Sequence, residues 1–257
     1  KTAMVLFVVY AIYSDPEAET QFSAIASALF IIPFIVVSAI SGQLADMRDK
    51  ARIIRTVKLC EIGLMSLGAA GLFLAWQGVL VQSVAIPLML FALFLAGLQS
   101  TFLGPIKYSI LPQHLPKHEV LAGTGLIEAG TYVAILLGTI LAGWIPVEAA
   151  MILIIVTALI GYASSRRIPS APPVGELEPI DWNIARSSVA LVRFVLKDRV
   201  IYLATIAISV FWTVGAILFI QFPPLAKNVI HASKEVATLF IVMFSIGIAI
   251  GSVLINH

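Results

Sequence analysis

The sequence predicts an all-α polytopic membrane protein, and three observations carry that prediction. Hydrophobic residues make up 60% of the 257 residues, charged residues only 12%, and the mean hydropathy is +1.02. The apolar residues gather in runs long enough to cross a bilayer, for which about 20 are needed. The lysines and arginines gather in alternate connections between those runs. A soluble domain of this length carries about twice that share of charge and cannot bury so much apolar surface in one core. The net charge of +2 therefore says nothing about nucleic acid, and no nucleic-acid partner is expected.

Residues 2–13 make an apolar run about half as long as a span, and the chain opens on Lys1 without an initiator methionine, so the first helix is expected to lack its beginning. Seven full runs follow, at 22–45, 53–76, 79–108, 120–145, 147–164, 200–222 and 236–255. Inside a bilayer no water satisfies the backbone, so these must be continuous helices; the short alternating strands of a closed barrel are not in the pattern. The connection after 22–45 carries Arg48, Lys50, Arg52 and Arg55, Lys107 and Lys117 flank the next basic one, and Arg166, Arg167, Arg186, Arg193, Lys197 and Arg199 follow 147–164. The intervening connections are acidic (Asp15, Glu17, Glu19) or poor in bases, with Lys227 and Lys234 in the last. The basic side is thus expected to be cytoplasmic. Cys60, the one cysteine, excludes an internal disulfide and is expected to be a packing residue.

The longest polar interval holds Pro169, Pro172 and Pro173 and then the charged stretch Gly175, Glu176, Leu177, Glu178, and is expected to be a linker. Beyond Trp182, Asn183 and Ile184, the apolar residues Ala185, Val189, Val192 and Leu196 recur at helical spacing beside a stripe of Arg186, Arg193 and Lys197. That pattern suits a helix lying in the membrane interface.

The charged connection after 22–45 reads Gly42-Gln43-Leu44-Ala45-Asp46-Met47-Arg48-Asp49-Lys50-Ala51-Arg52. Its Gly-x-Leu-Ala-Asp followed by bases resembles the loop between helices two and three of the major facilitator superfamily of transporters. Lys50 and Arg52 stand at basic positions of that loop, Arg48 adds a charge, and Met47 and Asp49 depart from the family's base and glycine. Gly42 is expected to let two helices approach closely, and Asp46 to meet a neighbouring helix N-terminus and the arginines. The resemblance implies two six-helix halves joined by a basic linker. The expected division is a first bundle over 1–164, a cytoplasmic linker with its interfacial helix over 165–199, and the first two helices of a second bundle over 200–257, with four more helices to follow. Residues 252–256 end the last run much as Gly42 to Asp46 end the second.

A second stretch narrows the family. Gly104-Pro105-Ile106-Lys107-Tyr108 ends the fourth run and Glu128 lies in the fifth, a pairing that resembles the bacterial lysophospholipid transporter branch, whose module also occurs fused to acyltransferase and acyl-carrier-protein synthetase domains. The resemblance implies a multi-pass protein of the bacterial inner membrane with a lysophospholipid substrate, lysophosphatidylethanolamine above all. Its partners would be membrane lipid and an acyltransferase or synthetase, fused or separate. No catalytic triad or paired carboxylates stand out, so no enzymatic activity is expected in these residues and no cofactor.

Lys107 lies about 7 Å inside the end of its helix, where it either reaches a lipid phosphate or extends its stem to the interface. Glu128 has no base near it in sequence, so it must pair with a base on another helix, bind a cationic headgroup, or take up a proton. Lys58 and Glu61 are three apart on one helix face; they can neutralise each other, or join the substrate or coupling site. Gly130, Ala134, Gly138 and Ala142 form a smooth stripe in the fifth helix, and Gly247 and Gly251 one in the eighth, expected to be packing surfaces; the resemblance implies that these two helices meet between the halves. No metal is expected, because Pro116 separates His114 from His118 and no cysteine or acidic cluster completes a ligand set. Two alternatives to lipid transport remain: a proton-coupled exporter of small solutes with Glu128 as proton carrier, and a membrane module of a fused acyltransferase enzyme.

Overall fold

The structure is a computed structural model that describes residues 1–174 and 179–254, the last seven of these by their backbone alone. The described residues form helices and no strand. They are α1 (Thr2–Phe7), continued by a π-helical turn (Val8–Ile12), α2 (Pro16–Met47), α3 (Lys50–Trp76), a second π-helical turn (Val81–Ala85) leading into α4 (Ile86–Ser109), α5 (Leu111–His114), α6 (Val120–Trp144), α7 (Val147–Ser165), α8 (Ile184–Lys197), α9 (Arg199–Asn228) and α10 (Lys234–Leu254). Six segments among the described residues, α2, α3, Val81–Ser109, α6, α7 and α9, are long and apolar enough to cross a membrane. The stretch 175–178 and the residues Ile255 and Asn256 of the expected echo lie outside the described residues.

Short polar side chains start several of the helices. Asp15 accepts from the Ala18 amide (3.0 Å) ahead of α2, whose first residue is Pro16; Asp49 accepts from Arg52 (3.1 Å) ahead of α3; Asn183 accepts from Arg186 (3.0 Å) ahead of α8. Each satisfies an amide that the first helical turn leaves open. Gly78, with φ of +69°, turns the chain after α3.

The core lies where α2 packs on α4 and α3 packs on both α4 and α7, around Val8, Phe22, Leu72 and Met89. At the crossing of α2 and α4, a Cβ at Gly97 would collide with the backbone of Phe30, which cannot swing aside as a side chain does. Gly97→Ala is therefore expected to destabilise the protein by about 1–3 kcal/mol, seen as a lower thermal unfolding midpoint of the purified full-length protein; Gly104→Ala, with open space around it, is the control.

Helix α6 packs against α10 and α1, and α10 also packs against α9. The helices holding the two small-residue stripes do meet, but elsewhere on α6 than expected: Gly143 is buried against Thr238 of α10, while nothing lies within 4 Å of a Cβ at Gly130, Gly138 or Gly247. Ala134, Gly138 and Ala142 instead border a 430 Å³ cavity shared with Glu61, Met65 and Thr157. Gly143 follows Ala142 by one position, about 100° round the helix, so spacing alone placed the packing face on the wrong side. Of Gly251 only the backbone is described.

Candidate functional site

Among the described residues, three polar groups interrupt the apolar helices. The first joins the end of α4 to α6. Lys107 occupies the last turn of α4, where the open carbonyls favour a cation, and its Nζ sits 4.7 Å from the centroid of the Tyr108 ring. The Tyr108 hydroxyl donates a short hydrogen bond to Oε1 of Glu128 on α6. The partner that Glu128 required is thus a neutral hydroxyl on a neighbouring helix. Lys107, Tyr108 and Glu128 are all partly exposed, so a cation, a hydroxyl and a carboxylate are gathered at the basic end of the helices.

The second group lies at the opposite end. Glu19, on the first turn of α2, is fully buried. Lys227, in the last turn of α9, donates to it, and Asn228 Nδ2 donates to its other oxygen at 2.7 Å. The same ammonium also donates to the carbonyls of Val9 (2.6 Å) and Tyr13 (2.8 Å), which the end of the first helix leaves open. One cation therefore ties α9 both to α2 and to the π-helical turn that continues α1 and the residue after it. In the sequence Glu19 and Lys227 look like loop charges; the one signal of their pairing is that opposite charges stand on the side otherwise poor in bases.

The third is the ion pair of Lys58 and Glu61 within α3, Nζ to Oε2 2.6 Å, both side chains largely buried. Glu61 stands eleven residues from the start of α3 and so about 16 Å along it, near the middle of a core about 30 Å thick, and it borders the 430 Å³ cavity. Among the described residues the pair shares no hydrogen bond or ion pair with Lys107 or Glu128, and neither of these borders that cavity.

The loop between α2 and α3 departs from expectation. No neighbouring atom lies within 4 Å of a Cβ at Gly42, so it mediates no close helix approach. Asp46 is exposed and lines a 330 Å³ cavity with Gly42, Gln43 and Ser187, and no hydrogen bond from it to a helix N-terminus or an arginine is among those found in the described residues. The helix-capping acid is Asp49, at the position where the family carries glycine. Its carboxylate also accepts from the Ser170 hydroxyl (2.5 Å) and the Ala171 amide (3.4 Å), and chiefly the Ser170 bond holds its pKa below the usual carboxylate range. The Lys50 amide donates to Ala171 O (2.9 Å) and Arg55 to Ile168 O (2.5 Å). Gln43 accepts from the Asp181 amide (2.8 Å) and donates to Ser187 Oγ (3.1 Å). Residues 168–171 and 181–187 thus strap the α2–α3 turn. Arg48 and Arg52 point outward, both exposed.

A model of the family described as Major Facilitator Superfamily matches residues 2–257. The chain is similar to a curated protein named Lysophospholipid transporter LplT from Serratia proteamaculans (strain 568), 27% identical over 232 residues that cover 87% of this chain and 54% of the relative. Proteins of that same name from Pectobacterium carotovorum subsp. carotovorum (25% identical, 97% of this chain, 57% of the relative) and Photorhabdus laumondii subsp. laumondii (24% identical, 89% of this chain, 55% of the relative) are also similar. The chain spans about half the length of these relatives. No solved structure matches it.

Proposed function

Because the chain belongs to the Major Facilitator Superfamily, we propose that this multi-pass membrane protein is a secondary transporter that moves lysophospholipid, specifically lysophosphatidylethanolamine, to the cytoplasmic leaflet by alternating access. The observation that carries the substrate class is the group at Lys107, Tyr108 and Glu128. A phosphoethanolamine headgroup is a zwitterion, with a phosphate suited to the Lys107 ammonium and an amine suited to the Glu128 carboxylate. In an apolar surround each contact is charge-assisted, so the headgroup is held by charge and the single acyl chain by the hydrocarbon walls. The names of the curated relatives support the same reading.

In this reading α1 to α7 belong to the first six-helix bundle, 165–199 to the linker, and α9 and α10 to the second bundle. The tie of Lys227 to Glu19, Val9 and Tyr13 then closes the two bundles at the external end while the basic end holds the substrate groups. Lysolipid delivered inside needs a second acyl chain restored, so an acyltransferase, fused or separate, is the partner this reading carries.

One observation favours a second reading, a proton-coupled exporter: a tyrosine hydroxyl can donate to ionised Glu128 or accept from its protonated form, leaving the carboxyl free to take up a proton. Both are tested with the full-length protein in proteoliposomes given labelled lysophosphatidylethanolamine. Saturable, protein-dependent uptake into the inner leaflet is expected. Uptake no faster than in empty vesicles, together with solute movement driven by an imposed proton gradient, would replace the first reading with the second.

A further inference from the structure

A groove of 590 Å³ runs along the flank formed by α2, α3 and α4, lined by residues that the proposed substrate group does not use. Its α3 wall is Ile53, Val57, Cys60 and Leu64, spaced four, three and four residues apart on one helical face, and Leu98 and Phe102 of α4 stand opposite. Every charged residue in the lining, Arg48, Asp49 and Arg52, lies at one end. From Arg52 to Leu64 is twelve residues of α3, about 18 Å, close to the half-thickness of a hydrocarbon core about 30 Å across.

Among the described residues, the charges at that end do not pair with one another. The Asp49 carboxylate is turned to the linker and the helix amides, bonded to Ser170, Ala171 and Arg52 N. Among the described residues, the Arg52 guanidinium has no hydrogen-bond or ion-pair partner, and Arg48 donates to the carbonyl of its neighbour Met47 alone. Two cations thus stand at the headgroup level of the basic face, above an apolar slot one leaflet deep. Anionic lipid gathers at such positions.

We propose that this groove binds one anionic glycerophospholipid of the cytoplasmic leaflet, its phosphate on Arg52 and Arg48 and one acyl chain laid along α3 between Ile53 and Leu64. The site is separate from the substrate group of Lys107 and Glu128, so its occupancy does not depend on what the protein transports. The occupant comes from the surrounding bilayer.

The test uses the full-length protein in bilayer nanodiscs containing phosphatidylglycerol with a photoactivatable diazirine on one acyl chain, followed by peptide mapping after irradiation. Labelling is expected to concentrate on residues 57–64 and 98–102, above that on the exposed apolar face of α9 at Ile208 and Val210. Joint replacement of Arg48 and Arg52 by alanine is expected to lower the groove labelling about thirtyfold, as loss of two interfacial bases implies, without changing that on α9. Arg52→Lys, which keeps the charge, should retain it, and Leu98→Trp, which fills the slot, should lose it. Groove labelling no greater than on α9, or unchanged by the arginine replacements, overturns the proposal. So does a groove that is closed in the full-length protein, seen as Cys60 refusing a maleimide while another segment of the chain cross-links there.

Discussion

Lys227→Ala is expected to open the external end of the protein. Glu19 is fully buried, and its charge is matched by one ammonium and one amide. Removing the ammonium leaves a carboxylate in an apolar surround with Asn228 alone, and also strips the carbonyls of Val9 and Tyr13 of their donor. Breaking a buried pair on one side costs about 3–5 kcal/mol, far more than the pair itself contributes. The cheapest relief is separation of α9 from α1 and α2, which lets water reach Glu19. The check is a cysteine at Ser23, one turn beyond Glu19 and buried, in a Cys60→Ala background, exposed to a membrane-impermeant maleimide. Slow labelling with Lys227 present should become rapid with Lys227→Ala. The pair Glu19→Gln with Lys227→Met should be slow again, since no unmatched charge remains. Equal labelling in all three would show that the tie does not hold the external end closed.

Loss of either charge in the group at the basic end should abolish most transport. In the proposed reading, Lys107→Ala removes the cation for the phosphate, and Glu128→Gln the anion for the amine. A desolvated charge contact costs about 2–5 kcal/mol when one side is truncated, so uptake of lysophosphatidylethanolamine should fall at least about thirtyfold in each. Tyr108→Phe keeps both charges and removes only the hydroxyl on Glu128, and should fall less. Measured at equal protein per vesicle, full uptake in both charge variants would remove these residues from the substrate site. A loss confined to Glu128→Gln that tracks an imposed proton gradient would assign Glu128 to coupling.

The apolar runs, the basic connections and the helix at 184–197 were all legible in the chain, because membrane insertion imposes length and charge rules that act on local sequence. Lys107 and Glu128 were legible for the same reason, as charges where charge is costly. Tyr108 was not: a tyrosine at a helix end is ordinary, and only the approach of α6 makes it the partner of Glu128. The packing face of α6 was misplaced because small residues recur on two of its faces, and only the position of α10 selects Gly143 over Gly138. The strap on the α2–α3 turn was unreadable too, since Asp49 looked like one more loop charge until Ser170 and Ala171 met it.

Sequence alone determined the material and the direction of this protein: which segments must be helices, which ends face the basic side, and that the chain belongs in a bilayer, all consequences of burying backbone and charge in hydrocarbon. Tertiary structure alone decided which groups meet. Glu19 and Lys227 stand 208 residues apart, and no pattern within either helix announces a partner in the other. Their pairing follows from where α9 comes to rest against α1 and α2, a position set by packing summed over whole helix faces and invisible at any one residue.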